Sequence, residues 1–136
     1  PLLMMGRSDG AQVLATGGVV RLPSQALVSG LGLEWMRHMH VDTAYIGASG
    51  LDAADGASVT SLEEAAMKRA AMERADTSIL VCDRRKWGRP ATVQFAPWRA
   101  FRVWVTDAVL ARAARAALRR RGVRVEQVDT EDERCR

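Results

Sequence analysis

Short β-rich runs alternate with helical segments along most of this 136-residue chain. That alternation restricts the fold more than any other feature. A strand followed by a helix is carried back before the next strand begins, so successive strands lie parallel in one sheet. The strand-like runs are Ala11–Ala15 (AQVLA), Thr43–Gly47 (TAYIG), Ile79–Cys82, Thr92–Phe95, Arg102–Val105 and Val123–Glu126, with a further extended pattern at Val19–Val20. Between them, Gly30–His40 reads as a helix with Leu31, Trp35, His38 and Met39 on one face. A second helix starts at Ser61 and runs to about Ala75. Ser61 is its N-cap and Glu64 stands at N3, as in a capping box. A third follows Asp107 as N-cap, with Leu110, Ala113, Ala114, Ala117 and Leu118 as its apolar stripe and Gly122 at C′. Pro97–Ala100 is a short turn or helical piece. The small, acidic stretch Leu51–Ser58 is expected to be a mobile surface loop. Pro1–Met5 is an apolar stub, Gly6–Gly10 a turn, and residues 129–136 a charged tail that frays. The pattern predicts an α/β fold with a mainly parallel sheet, and residues 1–136 as a single domain.

Charge narrows the partners. The net charge is +4, but the excess is mostly arginine on helix faces and near the end of the chain. Arg119, Arg120 and Arg121 fall where a helix ends and suit its macrodipole, so they read as a solvated face, and no sequence-specific DNA contact is expected from these residues. No apolar run approaches the length of a membrane span, so no membrane partner is expected. Two cysteines, Cys82 and Cys135, make no disulfide framework, and the cytoplasm is the expected compartment. His38 and His40 have no Cys or carboxylate at ligand spacing and read as helix-end residues. No metal and no cofactor are expected.

Only two of the 20 basic residues are lysines, Lys68 and Lys86. In an arginine-rich chain, the lysines are candidates for roles that need a compact ammonium. Lys86 lies in Ser78–Phe95 (SILVCDRRKWGRPATVQF), where a buried strand breaks into a charged turn with Asp83 three residues before it. The carboxyl ends of strands in open α/β sheets are where ligands bind. Lys68 follows Glu64 by four residues, which is also the spacing of an ordinary helix ion pair. Gly17-Gly18 is either a plain turn or bulge, or a place where backbone approaches a ligand closely.

Several segments together resemble the C-terminal effector-sensing domain of DeoR-type transcriptional regulators. In order they are Ala15-Thr16-Gly17-Gly18, then Gly47-Ala48-Ser49-Gly50-Leu51, then Glu64-Ala65-Ala66-Met67-Lys68-Arg69 with Met72. Asp83-Arg84-Arg85-Lys86-Trp87-Gly88-Arg89, Ala96-Pro97 and Val105-Thr106-Asp107 follow. The resemblance covers roughly Val13 to Val125. It implies a Rossmann-like α/β sandwich similar to ribose-phosphate isomerases and CoA transferases. It also implies a sensor rather than an enzyme. The sensor would bind a phosphorylated sugar or related metabolite, oligomerise, and control operator DNA through a helix-turn-helix not present in this chain. Carried over, Lys68, Asp83 and Lys86 line the effector pocket, and Gly17, Gly18 and Gly47 shape its floor. Ser49 stands where the family has an acid, and Arg85 where it has serine. Arg85 either favours a more anionic ligand or points to solvent.

The family's Gly/Ser/Thr-rich phosphate turn also has no counterpart here. The chain is therefore expected to be an incomplete sensor whose exposed edge or apolar face favours self-association. Two alternatives stand beside the sensor. One is a sugar-phosphate isomerase with Asp83 or Glu64 as base and Lys86 as stabiliser of an enediolate. The other is an assembly module with a vestigial pocket.

Overall fold

A computed structural model describes residues 14–22 and 24–129. Its centre is a four-stranded parallel sheet of β3 (Val41–Ile46), β6 (Ala75–Val81), β8 (Val103–Thr106) and β9 (Arg124–Gln127). The strands lie side by side in chain order, β3-β6-β8-β9. Right-handed crossovers that always advance in one direction deliver their connections to one face of a sheet. That face carries the core: Ala44 and Ile46 of β3, Leu80 of β6 and Trp104 of β8 join one buried cluster. On the opposite face, among the described residues, Tyr45 is 72% and Val81 48% exposed.

Packed on the covered face are α2 (Leu62–Glu73), α3 (Arg112–Arg120) and an antiparallel sheet of β4 (Gly50–Asp52), β5 (Gly56–Val59) and β7 (Val93–Ala96). Arg69 of α2 donates to the backbone carbonyls of Phe95 and Gln94 at 3.2 and 2.6 Å, which fastens the helix to β7. A hairpin of β1 (Val19–Arg21) and β2 (Ala26–Val28) leads into α1 (Gly30–Arg37), which lies against α2.

Three tryptophans join the two sheets. Trp104 and Trp98 are almost wholly buried; Trp87 stacks on Trp104 and meets Trp98 at a tilt, and the three ring centroids lie 5.3–5.9 Å apart. Each buried indole also satisfies its N–H. Trp104 donates to the carbonyl of Cys82 at 3.1 Å, and Trp98 to that of Asp52 at 2.8 Å.

The expected loop at Leu51–Ser58 is instead the β4–β5 hairpin and is largely buried. Small residues there serve close strand approach rather than mobility. A Cβ on Gly50 would overlap the carbonyl of Arg89, and one on Gly56 that of Ala96. Asp107 does not cap α3, which begins at Arg112 after Ala111. Its carboxylate instead accepts from the Arg84 amide at 2.6 Å and faces the Arg84 guanidinium at 3.6 Å. Leu110 therefore precedes the helix and Ala113 is exposed, leaving Leu118 as the buried anchor of the expected stripe.

In α1 the inward residue is Gly32, against Met67 of α2, while Leu31 and Trp35 face outward. Of the expected strand Ala11–Ala15, residues 11–13 lie outside the described residues, and Leu14 and Ala15 are not in a strand. The stub, the first turn and most of the charged tail also lie outside them. Ser61 does accept from the Glu64 amide at 3.3 Å. The return arm of the capping box is missing, because the Ser61 hydroxyl binds Glu63 and the Glu64 side chain turns to Lys68.

Two glycines a few residues apart test this packing. Gly50→Ala should destabilise the chain by about 1–3 kcal/mol through backbone displacement. Gly47→Ala should change stability by no more than about 0.5 kcal/mol, because a Cβ there meets only the Val81 carbonyl at 4.0 Å. Urea unfolding followed by tryptophan fluorescence measures both.

Candidate functional site

Because Ile46 pairs with Leu80, and Val81 with Val105, the exits of β3, β6 and β8 leave the sheet side by side. Gly47 and Ala48 thus lie beside Val81 and Cys82. The Cys82 thiol donates to the Ala48 carbonyl at 3.4 Å, and the Cys82 amide to the Val105 carbonyl at 3.1 Å. Gly47 is exposed and leaves open space where a side chain would stand. Ser49 is held by its amide, which donates to the Ser58 carbonyl at 2.9 Å. The Ser58 hydroxyl, buried, donates to the Gly50 carbonyl at 3.0 Å and accepts from the Ala91 amide at 2.7 Å. Ser58 therefore ties the β3 exit to the segment that follows the charged turn.

That turn is one turn of 3-10 helix, Arg84–Lys86, capped by Asp83. The Asp83 carboxylate accepts from the Arg85 amide at 2.9 Å and forms a forked pair with the Arg85 guanidinium at 3.2 and 2.9 Å. The Arg85 side chain, 79% exposed, thus lies out along the turn toward its own cap. The paired guanidinium holds Asp83 below the usual carboxylate range. Lys86 is half-buried and makes no ion pair among the described residues. Trp87, directly after it, enters the tryptophan stack and bridges to Leu51, so the lysine stands on a rigid base.

The second lysine arrives from α2. The end of this helix lies at the start of β3, where the Val41 amide donates to the Arg74 carbonyl at 3.0 Å, so its first turns lie at the exit edge. Lys68 pairs with Glu64 at 3.3 Å, their side chains 19% and 7% exposed. Its ammonium stands 6.0 Å from the centre of the Phe95 ring, within cation–π range. Burial is the largest influence on the Cys82 thiol and pushes its pKa up; the charge of Asp83 also raises it, and those of Lys86 and Lys68 lower it. Among the described residues, two buried side-chain atoms have no hydrogen-bond partner, Arg21 Nε and Glu64 Oε2.

Gly17 and Gly18 enter from another direction. Both have positive φ, +70° and +108°, and a Cβ on Gly18 would lie 2.6 Å from Ser29. They lead from Thr16, which with Met67 closes around Gly32 at the start of α1. The contacts at Gly18 are thus with the β2–α1 junction, whereas Gly47 and Ser49 follow β3, Asp83 and Lys86 follow β6, and Lys68 stands on α2 against Glu64 and the Phe95 ring. The tryptophan stack and Ser58 escape a motif-based reading, since only strand pairing brings their partners together.

Two other features lie apart. His40, Asp42 and Asp76 bring their ligand atoms within 4.8 Å of one another at the entry ends of β3 and β6. Asp42 follows His40 by two residues, contrary to the expectation of no carboxylate near the histidines, and parallel pairing of Val41 with Ala75 adds Asp76. All three are exposed, and His40 is 3.3 Å from Asp76. A concavity between α3 and β9 is lined by Arg115, Arg119 and Arg124, on the far side of the sheet order from the lysines. No helix among the described residues is long and apolar enough to cross a membrane.

A family profile for the DeoR C terminal sensor domain matches residues 2–108. The chain is 32% identical over 114 residues to the HTH-type transcriptional regulator GlpR of Haloferax volcanii, covering 84% of this chain and 45% of that protein. It is 27% identical over 124 residues to the HTH-type transcriptional regulator YulB of Bacillus subtilis, covering 91% and 48%. Identity to the HTH-type transcriptional regulator YgbI of Escherichia coli is 30% over 106 residues, 78% and 41% of the two chains. The chain thus spans less than half the length of these curated relatives. The profile match over most of the sequence, on a fold of the kind its motifs imply, shows that the chain belongs to the DeoR C-terminal sensor domain family.

Proposed function

We propose that this chain is the effector-sensing part of a transcriptional regulator and that the strand-exit site binds a phosphorylated sugar or a closely related metabolite. The observation that carries the reading is the convergence of the only two lysines of an arginine-rich chain. They come from different elements, α2 and the turn after β6, and both lower the pKa of the Cys82 thiol at the exit of β6, against its burial. Two compact ammonium groups suit a phosphate dianion. The open space over Gly47 admits the ligand, and the Ser49 hydroxyl and Asp83 carboxylate offer partners for sugar hydroxyls. Gly17 and Gly18 bound the site from the side of α1. Binding there would bias a DNA-reading helix-turn-helix elsewhere in the regulator, in a cytoplasmic homo-oligomer. The isomerase alternative gains no support from Asp83. Its carboxylate is committed to Arg85 and held well ionised, which makes it a weak proton acceptor near neutral pH.

Three outcomes follow from this arrangement. In thermal unfolding with a panel of sugar phosphates, a ligand at a hundred times its Kd should add about 2.7 kcal/mol of stability. Lys86→Ala and Lys68→Ala should each remove most of that gain. A panel without any stabilising member would overturn the sensor reading. The buried thiol offers a second readout. Cys82 should react slowly with a disulfide reagent at pH 7, and more slowly still with ligand bound, whereas unchanged reactivity would place the ligand elsewhere.

The third concerns pH. The folded pKa of Asp83 lies below its ordinary value near ~3.9, so the turn gains full stability above that pH and loses it as pH falls through the lower folded value. Arg85→Ala should move the Asp83 titration upward toward the ordinary value in a carbon-13 carboxyl NMR titration.

A further inference from the structure

We infer that Glu64 is a ligand-reading residue, its Oε2 accepting a hydrogen bond from a hydroxyl that the effector carries close to its anionic group. The inference rests on the sensor reading above and adds a residue and a chemical requirement to it.

Only 7% of the Glu64 side chain is exposed, yet only one of its carboxylate oxygens is used. Oε1 faces Lys68 at 3.3 Å, and Oε2 has no donor among the described residues. A buried acceptor left without a donor retains its full desolvation penalty, and more so when charged. Nothing in the cap of α2 requires it, since Ser61 accepts from the Glu64 amide without help from the Glu64 side chain. The other unpartnered atom, Arg21 Nε, differs in kind. Its guanidinium is partly exposed and reaches Glu63 at 4.0 Å, so the charge is already answered.

Placement gives the orphan oxygen its meaning. Glu64 stands one helical turn before Lys68, on the part of α2 that lies over the strand exits. The Lys68 ammonium is the partly open member of the pair. When that ammonium turns to an anionic group, the carboxylate behind it is uncovered, and a neighbouring hydroxyl of the same ligand supplies the missing donor. A simple anion satisfies Lys68 alone. A hydroxylated anion satisfies both residues, so the pair selects polyhydroxylated phosphates over phosphate itself.

Glu64→Gln tests this directly, because it keeps shape and reverses polarity. The carboxamide oxygen stays on Lys68, which leaves the NH2 group, a donor, where Oε2 was. Binding by calorimetry should use inorganic phosphate, and ribose 5-phosphate, glucose 6-phosphate and fructose 1-phosphate with their deoxy analogues. For whichever sugar phosphate wild type binds, Glu64→Gln should weaken binding at least tenfold. It should leave inorganic phosphate, and the deoxy analogue lacking the hydroxyl that is read, within about twofold.

Equal weakening of phosphate and sugar phosphate would reduce Glu64 to a support for Lys68 and overturn the inference. So would undiminished sugar phosphate binding. If wild type binds none of the panel, the sensor reading itself falls, and this inference with it. Should Glu64→Gln not fold, carbon-13 glutamate labelling of wild type decides. One buried carboxyl resonance should shift distinctly further with sugar phosphate than with inorganic phosphate, and a resonance that moves alike with both overturns the assignment.

Discussion

The stack of Trp87, Trp98 and Trp104 is the interaction on which the rest depends. Each large ring buries on the order of 150–250 Å², and these three do so where the parallel and antiparallel sheets meet. Their indole hydrogen bonds matter as much as their area. Trp104 holds the Cys82 carbonyl at the exit of β6, and Trp98 holds the Asp52 carbonyl in the hairpin that follows β3. The two strand exits that frame the candidate site are thus fastened to one apolar core. Trp87 extends the core to the charged turn itself, so Lys86 is carried by packing rather than by a free loop.

Much of this was legible in the linear pattern, for reasons that differ by element. Val41–Ile46 and Ala75–Val81 show as strands because β-rich residues cluster in them, and Ser61 marks its helix because an N-cap works over three residues. The motif residues Lys68, Asp83 and Lys86 stood out through rarity of type and spacing. What stayed hidden depends on partners distant in the chain. The β4–β5 hairpin resembles a loop because Gly50 and Gly56 are small for close backbone approach, which no local window shows. Asp107 resembles an N-cap, but Arg84 reaches it first from a neighbouring strand exit. Leu31 and Trp35 mark an apolar stripe, yet α1 is seated by Gly32.

The same distinction separates the charges. Asp83 and Arg85 form a closed local pair, exposed and largely a matter of the turn's own shape. Surface pairs of this kind contribute little to stability and much to geometry. Glu64 and Lys68 are the reverse, withdrawn from water and incompletely satisfied. A helix ion pair four residues apart is ordinary on an exposed face. Here one partner, Glu64, is the only acidic or basic residue among the buried ones described.

The order of the parallel sheet has a consequence for how the chain is made. Every strand added after β3 pairs with one already formed: β6 on β3, β8 on β6 and β9 on β8. No later strand must be inserted between two earlier ones. Domains fold from the N-terminal side as they leave the ribosome, and this sheet can grow at one edge in step with synthesis. The advancing edge at each stage is the strand most recently emerged. β7, the partner of β5, precedes β8 in the chain, and Trp87 and Trp98 both precede Trp104, so every partner of Trp104 in the tryptophan cluster is synthesised before it.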